Sequence, residues 1–212
     1  MERGTWQRHT VVVAVVACAI VAAVAAIAFR GDEDSSRRVS LGENDIVLGS
    51  AEAPVTIVEY FSFSCSHCAA FHREVFPELR KRYVDTGVVR FVLRDFPLNL
   101  PALKAAQAAR CAGPGRYLEL TDALWESWDA WINRSDPEAG LVEVLQPHGL
   151  AADALEACLQ DPDLETEVLL SLKEASEELG VDRTPSFLIN GELHKGFIPL
   201  DRFGRIIEAL ID

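Results

Sequence analysis

Val55-Thr56-Ile57-Val58-Glu59-Tyr60-Phe61-Ser62-Phe63-Ser64-Cys65-Ser66-His67-Cys68 decides how this chain is read. Its first seven residues are β-branched or aromatic apart from Glu59, which predicts a short buried strand. Ser62 to Ser64 reads as a polar turn. Beyond it Cys68, Phe71, Val75, Leu79 and Tyr83 recur at spacings of three and four, one face of a helix. The two cysteines therefore sit where a strand hands over to a helix, with Cys65 at the helix N-terminus. The unpaired N–H groups and the macrodipole there favour an anion, and a thiolate is one. Cys65 is expected to have a depressed pKa and to act as nucleophile, with Cys68, one turn inward, as the resolving thiol. A protonated His67 between them adds to the stabilisation of the thiolate.

Working outward, the chain has 212 residues and about half of them are apolar, enough for one domain with a proper core. Its formal charge is −13; residues 1–30 hold three basic residues and one acidic, so the remainder carries 17 basic against 32 acidic, or −15. Such an acidic surface argues against nucleic acid and anionic lipid as partners. Of five cysteines, Cys18 lies in a hydrophobic N-terminal segment, and the other four form an even set compatible with an oxidising compartment.

Thr10 to Phe29 is uncharged and about twenty residues long, enough to span a bilayer as a helix. Arg3 and Arg8 before it favour an N-terminus inside and the rest of the chain outside. Three readings stay open. The segment is an uncleaved anchor, a signal peptide cut after Ala26-Ile27-Ala28, or a lipoprotein leader with Val15-Val16-Ala17-Cys18 as lipobox. Asp32 to Ser40 reads as a flexible tether. A short edge strand is expected around Ile46-Val47-Leu48, and Val88 to Leu93 is a second buried strand. With the helix between them, the two main strands form a βαβ unit with parallel pairing. Pro77 is expected to bend that helix. Helices are predicted over 101–112, 117–131, 137–148, 151–160 and 164–179, separated by Gly, Pro and Asp/Asn clusters. The sheet resumes at Ser186 to Ile189, turns at Asn190-Gly191 into Glu192 to Lys195, and an amphipathic helix closes the chain.

The run Phe61-Ser62-Phe63-Ser64-Cys65-Ser66-His67-Cys68 resembles the active site of the DsbA-like thiol:disulfide oxidoreductases of the thioredoxin superfamily. Asp95-Phe96-Pro97-Leu98, a helical stretch, Thr184-Pro185 and the Asn190-Gly191 hairpin follow in the same order. The likeness covers roughly residues 40–212. It implies an α/β, thioredoxin-like fold with an inserted all-helical domain, preceded by the N-terminal transmembrane or signal helix. The implied divisions are 1–30, tether 31–40, first half 41–98, insertion 99–180 and second half 181–212. Ser66 stands where the enterobacterial oxidases have proline, which leaves the strength of the oxidant open.

Several residues have one reading alone and another through this resemblance. Glu59, in an apolar strand, is either an outward-facing residue or a buried carboxylate that needs a reason. The resemblance makes it the acid beneath the active site, moving protons to and from the resolving cysteine. Thr184-Pro185 alone reads as an ordinary pair opening an edge strand. The resemblance implies a cis proline packed against Cys65, with the Thr184 backbone pairing to a bound peptide. Cys111 and Cys158 are two buried free thiols or a structural disulfide, which some relatives carry; an oxidising compartment favours the disulfide. Trp125, Trp128 and Trp131 are a core stripe or a display toward a groove. His72, His148 and His194 have no partner legible in the sequence.

The function expected is that of an extracytoplasmic thiol:disulfide oxidoreductase that donates or exchanges disulfides with exported cysteine-containing proteins through Cys65 and Cys68. No cofactor is called for. A structural zinc normally needs four N/S ligands, and no second CxxC or HxxxH pair occurs. By analogy a membrane quinone-linked reductase, of the DsbB or vitamin-K-epoxide-reductase type, reoxidises the pair. The rivals are a disulfide reductase or isomerase of the same fold, and a non-catalytic peptide-binding chaperone.

Overall fold

The computed structural model describes residues 41–42 and 44–211. The expected N-terminal helix and tether lie outside the described residues. Among the described residues no helix is long and apolar enough to cross a membrane.

Two seven-residue strands form the centre of a five-stranded sheet, β2 (Val55–Phe61) and β3 (Val89–Asp95). Both are buried along nearly their whole length, which their β-branched and aromatic runs require. They pair in parallel from Val55 opposite Val89 to Phe61 opposite Asp95. The edge strand β1 (Ile46–Leu48) lies antiparallel on the far side of β3. β4 (Ser186–Ile189) lies antiparallel to β2, and β5 (Glu192–Lys195) lies outside β4, giving the order β1-β3-β2-β4-β5. The β4–β5 hairpin turns at Asn190 and Gly191, with φ of 45° and 92°. Two adjacent residues at positive φ are what a tight hairpin turn needs, and Asn-Gly supplies them at little strain.

The crossover from β2 to β3 is α1, a continuous helical run over 66–84. It is α-helical at Ser66–Ala70 and Phe76–Leu79 and widens to π turns at Phe71–Val75 and Arg80–Val84. The bend expected at Pro77 thus takes the form of a wider turn just ahead of it, where the Phe76 N–H bonds back to the Phe71 carbonyl. Proline has no N–H to offer the preceding turn and its ring crowds the carbonyl there, so the backbone accommodates an extra residue. The buried face that results comprises Cys68, Phe71, His72, Val75, Phe76 and Leu79.

Between β3 and β4 come α2 (Leu100–Arg110), α3 (Tyr117–Glu126), α4 (Trp128–Ile132), α5 (Pro137–Leu145), α6 (Ala152–Leu159) and α7 (Pro162–Glu177). The single helix expected over 117–131 is broken at Ser127, whose φ of −98° and ψ of 19° are not helical. Asn99, Asp136 and Asp161 cap α2, α5 and α7 through their side chains. Gly140 lets α5 approach α4, since a Cβ there would stand 2.9 Å from the Trp131 Cα. The amphipathic α8 (Leu200–Ile211) closes the chain and packs Phe203 against Phe187 and Phe71.

Buried charges tie the helical insertion to the end of β3. Asp95, which is 1% exposed, accepts from Arg110 at 2.7 Å and from the Tyr117 hydroxyl at 3.2 Å, while Ser171 donates to its carbonyl at 2.9 Å. Beside it Arg94 forms a two-pronged pair with Asp45 at 2.8 and 2.7 Å and reaches Tyr60 and Glu174. Such pairs add little net stability over apolar packing, but losing one partner strands the other charge in the core. They therefore fix how the insertion sits on the sheet.

Candidate active site

β2 ends at Phe61, and the chain turns through Ser62, Phe63 and Ser64 into the first residue before α1, Cys65. The turn is held from three directions. The Cys65 N–H bonds to the Ser62 carbonyl at 3.0 Å, the Ser62 hydroxyl accepts from Leu98 N–H at 3.2 Å, and the Trp128 indole N–H donates to the Phe63 carbonyl at 2.6 Å. Cys65 is half-buried, Ser66 and His67 are exposed, and Cys68 is fully buried.

The antiparallel register of β4 brings the second half of the site to the same end of the sheet. Ser186 stands opposite Tyr60, so the residues just before β4 fall beside the turn that leaves β2. Accordingly the Cys65 Sγ lies 3.3 Å from the Thr184 carbonyl oxygen, and the Thr184–Pro185 peptide bond is cis. Among the described residues the buried Thr184 hydroxyl has no hydrogen-bond partner by geometry, but it lies close enough to the same sulfur to favour its thiolate.

The two thiols are driven apart in acidity. Cys65 falls from the ordinary 9.0 to about 5. The largest cause is the hydrogen bond from the Cys68 thiol; burial opposes it, and the Thr184 side chain and the backbone N–H groups of Cys68 and His67 add to it. Cys68 moves the other way, well above 9.0, because it is buried, because it donates to Cys65, and because the Glu59 carboxylate lies nearby. The result is an acidic thiol, half-buried, above a buried one that resists ionisation. His67 contributes its backbone N–H to the Cys65 sulfur.

Glu59 is fully buried in β2, not turned outward. Its partner is His72, one of the histidines whose partner the sequence does not reveal. The His72 Nε2 is 3.2 Å from Oε1 in hydrogen-bonding geometry, and 3.0 Å from Oε2 at an angle that makes no bond. The signal available in the sequence is the demand of a buried carboxylate for a partner; nothing there identifies which residue meets it. Trp125 and Trp131 are core residues, whereas the half-buried Trp128 holds the active-site turn. Cys111 and Cys158, at the end of α2 and in α6, are joined as a disulfide with 5.6 Å between their Cα atoms. Among the described residues no cluster of three or more His, Cys, Asp or Glu could hold a metal ion.

A sequence profile of the thioredoxin family spans residues 42–209. The crystal structure of Wolbachia pipientis alpha-DsbA1 superposes with a TM-score of 0.76 at 32% identity, over 83% of this chain and 95% of that one. This chain belongs to the thioredoxin family, in its DsbA-like branch. Among curated relatives, a Rickettsia typhi protein provisionally named protein-disulfide oxidoreductase is 30% identical over 177 residues, 81% of this chain and 64% of the relative. Disulfide bond formation protein D of Bacillus subtilis is 26% identical over 76% of this chain and 75% of its own length. The chain thus spans slightly less than two thirds of the Rickettsia relative.

Proposed function

We propose that this DsbA-like chain is an extracytoplasmic thiol:disulfide oxidoreductase that passes disulfides to exported cysteine-containing proteins. The observation that carries the reading is the split between a half-buried Cys65 with a pKa of about 5 and a buried, protonated Cys68 beside it. In the donor direction a substrate thiolate attacks the Cys65 sulfur of the oxidised pair. A mixed disulfide forms, and Cys68 leaves as a thiolate and takes up a proton by way of Glu59. A second substrate thiolate then displaces Cys65, leaving the substrate oxidised and the enzyme dithiol reduced. A low-pKa Cys65 is a good leaving group, which favours this direction over that of a reductase or isomerase. His67 supports the thiolate, and the Thr184–Pro185 backbone pairs with the substrate segment. A membrane quinone-linked reductase of the DsbB or vitamin-K-epoxide-reductase type restores the disulfide. The N-terminal hydrophobic segment serves as a membrane anchor, a signal removed on export or a lipoprotein leader.

The test is oxidation of a reduced, unfolded disulfide protein by the oxidised chain. Cys65→Ser should abolish it, and Cys68→Ser should accumulate mixed disulfides through Cys65, visible on non-reducing gels. A Cys65→Ser chain that still oxidises the substrate overturns the proposal. A wild-type chain without oxidase activity that prevents aggregation, and does so equally well as Cys65→Ser, points to the chaperone reading.

A further inference from the structure

Beneath the cysteine pair the chain holds a second pair of proton-carrying groups, sealed from water. Glu59 rises from β2, and its side chain is 0% exposed; His72 comes from α1, one turn beyond Cys68, with its side chain 2% exposed. Among the described residues Glu59 has no hydrogen-bonding partner other than His72. The imidazole is stacked on Trp125 of the insertion, with ring centroids 5.0 Å apart and planes 11° apart, and is walled by Phe61, Phe71 and Phe76. A carboxylate and an imidazole in contact inside such walls share at least one proton. That proton sits on Nε2, since a bare nitrogen lone pair there would face the carboxylate oxygen across 3.2 Å in an apolar pocket. The carboxylate of that pair is also close enough to Cys68 to oppose its ionisation.

We propose that His72 is a positioning residue for the Cys68 proton: it holds Glu59 in place and carries the positive charge that keeps the pocket neutral while Cys68 is a thiolate. This rests on the thiol–disulfide exchange proposed above. When the pair resolves a mixed disulfide on Cys65, the Cys68 S–H proton passes to the Glu59 carboxylate. The Cys68 thiolate then attacks the Cys65 sulfur, and the electron pair of the broken S–S bond leaves with the substrate sulfur. Through that step His72 keeps its proton, so a thiolate and an imidazolium offset each other where an uncompensated buried anion would be costly. In the donor direction the order reverses: Cys68 leaves as a thiolate and Glu59 returns the proton. Outside the pocket, Asp122 of α3 is an exposed residue within electrostatic reach of His72, with Arg80 of α1 and Glu126 of α3 also acting on it.

The experiment forms the mixed disulfide between Cys65 and glutathione, then follows its resolution by Cys68 from pH 5 to 9. It is done in the wild type, His72→Gln, Glu59→Gln, the double variant and Asp122→Asn. Gln at position 72 keeps a hydrogen bond to Glu59 but carries no charge. Expected is a resolution step on the order of 10- to 100-fold slower in His72→Gln, at or below the range of an acid–base group itself. The pH profile should lose one ionisation, and the double variant should be no slower than the worse single one. Alkylation of Cys65 should be unchanged and Asp122→Asn should keep the wild-type profile. A His72→Gln profile of wild-type shape, or losses that multiply in the double variant, overturns the proposal. Should His72→Gln fail to fold, the His72 ring carbon is followed by NMR in the wild type. Titration identical in the oxidised and reduced proteins then overturns it. Failure of exchange at Cys65 itself, by contrast, would count against the oxidoreductase reading.

Discussion

Reduction of the Cys65–Cys68 pair should make the fold gain stability with rising pH, relative to its oxidised form. The folded pKa of Cys65, about 5, lies below the 9.0 of an unperturbed thiol. The thiolate's contribution is therefore fully present above the unfolded value and is lost as pH falls through about 5. Between those limits each pH unit is worth at most ~1.36 kcal/mol, or about 2.7 kcal/mol from pH 5 to pH 7. Cys65 is only half-buried, and solvent screening reduces this to roughly 1.3 kcal/mol. Cys68 stays protonated across the window, since burial holds its pKa well above 9.0. Against the thiolate stands the loss of the disulfide, whose small loop constrains the unfolded chain by on the order of 2 kcal/mol. That loop contribution does not vary with pH, so the slope of the difference isolates the thiolate. The assay is urea unfolding of Cys111→Ala/Cys158→Ala in both redox states at pH 5, 6, 7 and 8. With a denaturant slope of about 2 kcal/mol per molar, the reduced-minus-oxidised midpoint should rise by roughly 0.6 M between pH 5 and 7. By linkage the pair is then about 30 mV more oxidising at pH 7 than it would be with an unperturbed thiol. A difference that stays flat over this range, or falls, refutes a thiolate held at Cys65.

Iodoacetamide at pH 6 should modify Cys65 and spare Cys68, with a reactivity midpoint near pH 5, as mass mapping of the reduced protein can check. Label found mainly on Cys68 would reverse the roles. Replacing Cys111 and Cys158 by Ala should lower stability by up to about 4 kcal/mol, because the bond closes a loop with a sequence separation of 47. Urea unfolding at pH 7 measures it, and a loss below about 1 kcal/mol would mean that packing of α2 on α6 already does the work of the bond.

How much of the molecule is legible in the sequence follows from which interactions are local. The β2 strand and the start of α1 declare themselves because apolar periodicity changes from near-continuous to every third or fourth residue at Ser62–Ser64. The β4–β5 hairpin is legible for the same reason, since Asn190-Gly191 carries its own turn chemistry. The break at Ser127 is not: nothing in Trp125 to Trp131 interrupts the helical period, and the interruption goes with a tertiary bond from the Trp128 indole to the Phe63 carbonyl. Pro77 announces a disturbance but not its form, because a kink and a π turn satisfy the same missing N–H. The meeting of Thr184 with Cys65 spans 119 residues and depends on the register of β4 against β2. His72 is the clearest case. On α1 it occupies an ordinary core position beside Phe71, and only the fold reveals that Glu59 lies across from it.

The insertion matters to the chemistry through that same pocket. Trp125 is buried and stacks on Phe63 of the active-site turn at 4.9 Å and on His72 beneath it at 5.0 Å. One residue of α3 thus touches both the loop that aims Cys65 and the histidine that holds Glu59. Trp128, at the start of α4, fixes the same loop by its hydrogen bond. The charges of Asp95 and Arg110 in turn set where these helices lie on the sheet. With the aromatic walls closed, Glu59 is fully buried and Cys68 is the thiol whose ionisation its carboxylate opposes. On the proposed mechanism the proton and the electron pair both move at Cys68. Burial keeps Cys68 from ionising in the resting dithiol, so Cys65 alone meets an incoming sulfur.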